Sequence, residues 1–332
     1  MPEQKYNRLG LILNLVFSFA LIVSAVLIVL NRQWIIDQIN VWQYSSTVAI
    51  DSLVERAGMN DRGLFLYHAS QPTLDGTQSF NDSCDRIENT VSVIGCYTNN
   101  KIYIYDVTDA QLDGIREVTA AHETLHVAYD RLTVDERIRV GALLEEEFEI
   151  LKHDAGYADR MAFYDRTEPG ERDNELHSVI GTEVSDISSE LEAYYDQYFS
   201  DRQKAVTLYE KYSSQFKVLK DKADKLAGQL DTLSKSVTKR TAEYNTEAGA
   251  LNNDIEVFNR RASSGYFASQ SEFAAARFAL EQRVLTLEEL RTQINIDIEK
   301  HVVLLVEYNS NAAKSDNLYD SIDSTLAPAP SV

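Results

Sequence analysis

The chain has 332 residues, of which 44% are hydrophobic and 25% carry a charge. This composition is that of a globular protein and excludes a disordered chain. The formal net charge is −20, so the surface repels phosphate backbones and nucleic acid is excluded as an expected partner. The length leaves room for two domains after a membrane segment.

The segment 9–30 is uncharged and long enough to cross a bilayer, which takes about 20 helical residues. Lys5 and Arg8 precede it, so the positive-inside rule places residues 1–8 in the cytoplasm and the rest of the chain outside. We therefore expect a single-pass protein of the cell membrane. The alternative is a signal peptide cleaved after Ala25, which would leave an apolar new N-terminus.

Residues 31–62 are amphipathic and predict a juxtamembrane helical segment. Three strands are predicted after it, at 63–69, 90–97 and 101–107, from short runs of apolar and β-branched residues. The polar residues 98–100 predict a hairpin turn between the last two strands. The expected fold class is α+β and mostly α, with a short antiparallel or mixed sheet.

Helical patterns follow the predicted strands. They cover residues 112–132 and 134–152, and another helix is predicted to begin near residue 173. A long helix is predicted from Ser189, because Ser189 and Glu192 have the spacing of a capping box.

Residues 201–311 have the heptad spacing of a coiled coil, with a break near Gly265. Two long helices joined by so short a loop pack antiparallel. The apolar seam is predicted at Phe216, Leu219, Ala223, Leu226, Leu230, Leu233 and Val237, and on the second helix at Phe273, Leu280, Leu287, Ile294, Ile298, Leu305 and Tyr308. Three aromatic residues at the tip either bind a protein partner or close the hairpin: Tyr266, Phe267 and Phe273. Residues 312–332 are predicted to form a disordered tail.

The chain has two cysteines, Cys84 and Cys96. They are either free thiols or a disulfide that closes a short loop, and an oxidising compartment outside the membrane favours the disulfide. They do not predict a zinc site, because no second pair of soft ligands accompanies them.

The stretch His122-Glu-Thr-Leu-His126 contains the HExxH motif. A spacing of four places both imidazoles on one face of a helix, where they can share a metal ion. Glu123 lies beside the first histidine and is the expected general base and acid. Uncharged neighbours favour a buried metal helix, and the alternative is an amphipathic surface helix with two solvated histidines.

The motif resembles that of the zincins, a clan of zinc peptidases, over about residues 60–200. The resemblance implies Zn²⁺, a protein or peptide substrate, and a small sheet whose edge strand binds the substrate in extended form. The candidate for that strand is 101–107. The Gly and His that follow the motif in the metzincin branch are absent, since Tyr129 and Leu132 stand there.

The gluzincin branch takes its third ligand from a later helix, as a Glu that often follows an Asn. Asn174-Glu175 matches this pattern, so Glu175 is the expected third ligand and Glu183 is its rival. Some gluzincins have an Asp four residues after the ligand Glu that supports the metal site, but Val179 occupies that position here, so no such carboxylate is assigned. His177 is either a hydrogen-bond donor to the oxyanion or a histidine on the helix surface.

The expected organisation is a zincin-like metallopeptidase domain at 63–200, between the membrane helix and the hairpin. The expected function is zinc-dependent hydrolysis of peptide bonds outside the cytoplasm. The alternative is a membrane-anchored scaffold or surface-interaction protein that has an inactive zincin-like domain and binds its partner through the hairpin.

Overall fold

The computed structural model describes residues 8–84, 93–167 and 169–325. These residues are mostly helical and include one small mixed sheet. The helices are α1 (Arg8–Leu30), α2 (Arg32–Gln43), α3 (Val48–Arg56), α4 (Asp61–Ala69), α5 (Thr77–Asn81), α6 (Ile115–Asp130), α7 (Val134–Leu151), α8 (Ala155–Thr167), α9 (Arg172–Glu183), α10 (Ser189–Tyr195), α11 (Gln203–Ser263) and α12 (Gln270–Asp320). The strands are β1 (Thr73–Asp75), β2 (Gly95–Thr98) and β3 (Lys101–Tyr105). The chain divides into two compact units, one of Met1–Gln215 with Tyr319–Val332 and one of Phe216–Leu318.

Helix α1 is the apolar N-terminal helix that the sequence predicts. Its stretch Leu11–Leu30 has a mean hydropathy of 2.8 and is not buried in the protein. A helix of this length and composition is able to span a membrane, and a signal sequence has the same properties.

Residues 63–69 belong to helix α4, so the strand predicted there is wrong. The side-chain oxygen of Asn60 accepts hydrogen bonds from the backbone N–H groups of Arg62 and Gly63, at 2.9 and 3.1 Å. This cap satisfies two donors that a helix start leaves without partners. Leu66 and Tyr67 are buried at helical spacing from Gly63. A short apolar run does not by itself distinguish a helix from a strand.

Strand β3 is the centre of the sheet, whose order is β1-β3-β2. β1 pairs with it in parallel and β2 pairs antiparallel. The prediction that 101–107 is the edge strand is therefore wrong, because β1, only three residues long, covers its other side. β2 confirms the C-terminal part of the strand predicted at 90–97, and residues 90–92 lie outside the described residues.

The hairpin turn between β2 and β3 is confirmed. Thr98 pairs with Lys101, so only Asn99 and Asn100 form the turn. Their φ angles are 52° and 60°, a left-handed conformation that Asn tolerates and that matches the twist of a two-residue hairpin.

Helix α6, which carries the HExxH motif, lies at the centre of the first unit. It packs against β2 and β3 on one side and against α3, α4 and α9 on others. Ala120, Ala121 and Leu125 have no exposed surface. The surface-helix alternative for the motif is therefore wrong. Small side chains on α6 let its neighbours approach closely.

Two helices in the second half of the first unit differ from the sequence prediction. Residues 155–167 form α8, which was not predicted. The long helix predicted from Ser189 is interrupted, because α10 ends at Tyr195 and α11 begins at Gln203. Ser188, not Ser189, caps α10 through its hydroxyl.

The break between α10 and α11 has a tertiary cause. Arg202 is 3% exposed, and its guanidinium donates to the carbonyl oxygens of Val184 and Ser185 at 2.6 and 3.0 Å. It also bonds the carboxylate of Glu192 at 2.7 Å. A buried guanidinium needs several acceptors, and the non-helical segment 196–202 brings it to them.

Helices α11 and α12 form the antiparallel hairpin that the heptad spacing predicts. Lys222 pairs with Glu307 at 2.8 Å, and Arg240 pairs with Asp297. The first pair is near the open end and the second is nearer the tip, as antiparallel packing requires. Gly265 lies in the connecting turn with φ +69°.

Phe267 and Phe273 pack against Phe258 and close the hairpin, whereas Tyr266 is 60% exposed. The ring centroids of Phe258, Phe267 and Phe273 lie 5.2 to 5.5 Å apart. Helix α12 continues to Asp320, so the first part of the predicted disordered tail is helical, and residues 326–332 lie outside the described residues.

Two positions of the predicted seam are wrong. Ile298 and Leu305 are 44% and 41% exposed, whereas Leu287 and Ile294 are 8% exposed. The seam instead continues from Ile294 through Asp297, which is buried against Arg240. Heptad spacing does not identify the seam here, because α12 is apolar on more than one face.

Candidate metal centre

Three side chains from two helices converge at the centre of the first unit. His122 and His126 lie one turn apart on α6, and Glu175 comes from the first turn of α9. One ligand atom from each lies within 4.8 Å of the others. The Nε2 atom of His126 is 3.6 Å from Oε1 of Glu175, close to the roughly 3.4 Å that separates two ligands of one tetrahedral zinc ion.

The close approach of α9 to α6 depends on Gly181. A Cβ at this position would lie 2.4 Å from Cδ1 of Leu125 and 2.8 Å from the ring of Tyr195. Only glycine leaves enough room for the two helices to pack at this distance. The packing brings Glu175, which is two turns before Gly181, next to the histidines.

Asn174 orients the imidazole of His126. The amide oxygen of Asn174 lies 3.0 Å from Nδ1 of His126 and therefore accepts a hydrogen bond from the Nδ1–H group. The amide nitrogen of Asn174 donates to Oε2 of Glu171 at 3.1 Å, which fixes the orientation of the amide. This arrangement leaves a lone pair on Nε2, facing Glu175, and is typical of the residues that support a metal ligand.

Glu183, the rival third ligand, is engaged elsewhere. Its carboxylate forms an ion pair with the guanidinium of Arg160, which also donates to the hydroxyl of Tyr209 at 3.3 Å. Among the described residues, the cluster of side chains whose ligand atoms lie close enough to share a metal ion contains Glu175 and not Glu183. The geometry therefore favours Glu175.

The imidazole of His122 is in the form that a metal requires. Burial lowers the pKa of His122 well below its ordinary value, and the nearby His126 and Arg160 lower it further. A neutral imidazole has a lone pair to offer a cation. Two neutral imidazoles and one carboxylate are the donor set of many catalytic zinc sites, so the residues present fit this ion.

Glu123 lies between the metal residues and strand β2. Its side chain is 6% exposed. A Cβ on Gly95 would lie 2.7 Å from Oε1 of Glu123 and 2.3 Å from Cγ2 of Thr119. Gly95 therefore allows β2 to pass directly beside this carboxylate.

A disulfide holds β2 in this place. Cys84 and Cys96 are paired, with their Cα atoms 6.0 Å apart, as the sequence predicts for an oxidising compartment. Cys96 follows Gly95, so the bond ties the strand beside Glu123 to the segment after α5. Residues 85–92 of the loop that it closes lie outside the described residues.

His177 is in the core, so the prediction of a surface histidine is wrong. Its side chain has no exposed surface, and its Nε2 is 2.9 Å from the hydroxyl of Tyr194. Burial lowers its pKa to about 3. The rings of Tyr195 and Tyr198 also pack on it. These contacts explain the Tyr cluster of α10 as core packing and leave no access for substrate to Nε2.

Sequence reasoning missed Tyr164 and Arg160, which come from α8. Both are partly exposed. Burial raises the pKa of Tyr164, and the nearby carboxylates of Glu175 and Glu123 contribute to the increase. Tyr157, Arg160 and Tyr164 recur at helical spacing on one face. This spacing is the signal in the sequence from which α8 could have been predicted.

The comparisons with known proteins find no match. No family model, no curated protein and no solved structure matches the chain.

Proposed function

We propose that this protein is a membrane-anchored zinc peptidase that hydrolyses peptide bonds. The observation that carries the proposal is the convergence of His122, His126 and Glu175 with Glu123 beside them. Structural zinc sites have four protein ligands, whereas catalytic sites have three and one open position. The cluster has three candidate ligands, His122, His126 and Glu175, which is the number that a catalytic site has.

In the proposed reaction, Glu123 transfers the proton and the metal residues hold the zinc ion. When bound, zinc supplies Lewis-acid chemistry by lowering the pKa of a water molecule and polarising the substrate carbonyl. Glu123 accepts a proton from the attacking water, whose oxygen bonds to the carbonyl carbon. The C–N bond then breaks, and Glu123 delivers the proton to the leaving nitrogen.

Tyr164 is the proposed donor to the carbonyl oxygen as that oxygen gains negative charge. Its raised pKa keeps the hydroxyl protonated and able to donate. Arg160 lies one turn before it on α8 and is bound to Glu183 of α9. This ion pair holds α8 against α9, the helix that carries Glu175, and so positions Tyr164 relative to the metal residues.

Strand β2 is the proposed place for the substrate backbone. One edge of β2 is paired with β3, and no strand among the described residues pairs with the other. An extended peptide can add to a sheet edge through main-chain hydrogen bonds. Gly95 brings β2 beside Glu123, so the strand proposed to bind the substrate is β2 instead of β3.

The proposed location is the outer surface of the cell membrane. Asp37 on α2, the helix that follows α1, is 3% exposed and forms a two-bond ion pair with Arg131 at the end of α6. The hydroxyl of Tyr97 on β2 accepts from the same guanidinium at 3.3 Å. These contacts link helix α6 and strand β2 to α2, the helix that follows the proposed membrane helix α1. Substrates near the bilayer are therefore favoured.

The test compares the full-length protein with Glu123→Gln in detergent or nanodiscs. Both should contain about one zinc per chain, and only the parent should cleave a peptide library. Glu190→Gln, an exposed glutamate of α10, is the control and should behave like the parent. Equal cleavage by Glu123→Gln would refute the proposal. Zinc without cleavage in the parent would favour the scaffold with an inactive domain.

A further inference from the structure

Helix α2 turns its polar side to the protein and its apolar side outward. Asp37, Asn40 and Tyr44 lie on one side of the helix, at spacings of three and four residues. Asp37 forms the buried ion pair with Arg131. Asn40 donates to the last carbonyl oxygen of α4 at 3.0 Å, and the hydroxyl of Tyr44 donates to the carbonyl oxygen of Pro72 at 2.7 Å. A helix on the surface of a globular protein normally packs its apolar side inward, so the orientation of α2 is reversed.

The outward side of α2, here called the outer face, consists of Trp34, Ile35, Ile39 and Trp42. Ile35, Ile39 and Trp42 recur at spacings of four and three residues, and Trp34 lies beside them, eight residues before Trp42. Trp34, Ile39 and Trp42 are 60%, 45% and 85% exposed. Two exposed tryptophans among other apolar residues on one helix face mark an interaction surface.

The outer face begins next to the proposed membrane helix. Only Asn31 separates α1 from α2. Trp34 follows Leu30 by four residues, which is at most about 6 Å at the helical rise. This distance lies within the interfacial layer of a bilayer, which is roughly 5–8 Å thick on each side. Tryptophan is enriched in that layer, because its ring is apolar and its N–H group is polar. The position of the outer face in the chain therefore provides a lipid surface as its partner.

Trp42 distinguishes a helix that lies in the interfacial layer from one that leaves the membrane. It follows Leu30 by twelve residues, about 18 Å at the helical rise, which is too far if α2 runs along the membrane normal. Helix α2 does not continue α1 without interruption, because Asn31 has φ −108° and ψ 18°, far from the helical values of about −63° and −42°. The interruption allows α2 to lie across the membrane surface, with Trp42 in the same layer as Trp34.

The charges of this segment are compatible with contact to lipid. Residues 31–50 contain one basic residue, Arg32, and one acidic residue, Asp37, although the whole chain has a net charge of −20. Asp37 is 3% exposed and paired with Arg131. No carboxylate of α2 therefore has to lose its hydration when the outer face enters the interfacial layer, a loss that would be costly.

We propose that the outer face of α2 lies in the interfacial layer of the membrane. This inference rests on the proposed anchoring by α1 and goes beyond it, because a membrane helix followed by a helix in solvent would anchor the chain equally well. The ion pair between Asp37 and Arg131 then holds the end of α6 at a fixed height above the bilayer. The lipid contact requires neither zinc nor peptide hydrolysis.

The first test uses the fluorescence of the full-length protein in nanodiscs. Trp34 and Trp42 are the two tryptophans of the chain, so the emission reports on the outer face alone. In Trp34→Phe, where Trp42 is the single emitter, lipid brominated close to the headgroup should reduce the emission at least about twofold, because an indole in the interfacial layer lies near those bromines. Aqueous iodide should quench it much less than it quenches free tryptophan amide. Trp42→Phe, which retains Trp34, should give the same two results.

The control for a water-exposed ring is Tyr266 at the tip of the hairpin, which is 60% exposed, as Trp34 is. Tyr266→Trp is combined with Trp34→Phe and Trp42→Phe, so that the new indole is the single emitter. Iodide should quench it strongly and brominated lipid should not. Circular dichroism verifies that each variant remains helical.

The second test separates the outer face from the anchor. Phe19 lies in the middle of α1 and is 69% exposed. Phe19→Trp, again with Trp34→Phe and Trp42→Phe, should be quenched by lipid brominated near the ends of the acyl chains, because α1 crosses the hydrocarbon core.

Three outcomes would overturn the proposal. Lipid quenching of Phe19→Trp without lipid quenching of Trp42, with Trp42 open to iodide, would leave the anchor intact and place α2 in solvent. Protection of Trp42 from both iodide and brominated lipid would assign the outer face to a protein contact. Absence of lipid quenching at both positions would refute the anchor and, with it, the lipid contact of α2.

Discussion

His126 and Asn174 are joined by a hydrogen bond of 3.0 Å between Nδ1 and the amide oxygen. Asn174 immediately precedes Glu175, so one turn of α9 supplies both the expected third ligand and the group that orients the second. The two helices of the site are thus linked by a contact that determines which imidazole nitrogen is available to a metal.

Replacement of Asn174 by Ala should lower zinc affinity by about 10- to 100-fold, the usual effect of losing a group that orients a ligand. Asn174→Asp should retain most of the affinity, because a carboxylate oxygen still accepts from Nδ1. Competition with a chelator of known affinity measures both. Equal affinity of Asn174→Ala and the parent would show that the contact does not orient the ligand.

Glu175→Gln should lose the bound metal, whereas Glu183→Gln should keep it. Glu183→Gln removes the partner of Arg160, which is only about one third exposed, and should destabilise the protein by about 1–3 kcal/mol. Metal analysis and thermal unfolding of the two variants separate the roles. Normal zinc in Glu175→Gln would reassign the third ligand.

Tyr164→Phe should reduce kcat by about 100-fold, the effect of removing one donor from a developing oxyanion. KM and zinc content should change little, because the ring and the ligands remain. Tyr157→Phe, on the same face of α8, serves as the matched control and should retain activity. An unchanged kcat in Tyr164→Phe would exclude the hydroxyl from the reaction.

Loss of the disulfide should destabilise the protein, because the bond limits the freedom of the unfolded chain. With a sequence separation of 12 residues, Cys84→Ser with Cys96→Ser should cost about 2–3 kcal/mol. Denaturant unfolding of the full-length chain measures the loss, and an unchanged midpoint would contradict it.

The same cysteines test the topology. In intact cells, a membrane-impermeant thiol reagent should label Cys84 and Cys96 only after reduction. Labelling without reductant would rule out the disulfide. Failure to label after reduction, in cells where added protease also leaves the domain intact, would place it in the cytoplasm.

Much of the site follows from local sequence. The spacing of His122 and His126 places them on one face of any helix, and Glu123 then lies beside them. The apolar helix α1 and the antiparallel hairpin follow equally from length and periodicity. These features depend on neighbours in the chain, so a single sequence is enough to predict them.

The remaining features depend on residues that are distant in the chain. Glu175 and Glu183 lie on one helix and look alike in sequence. The position of Arg160 on α8 determines that Glu183, and not Glu175, forms the ion pair with its guanidinium. Helix α10 ends because Arg202 needs carbonyl acceptors from the end of α9. β3 is central because β1 pairs with its far side. Tertiary packing alone decided these outcomes. A buried charge is stable only where a distant part of the chain supplies its partner, and a strand is central only where a distant strand pairs with its second edge.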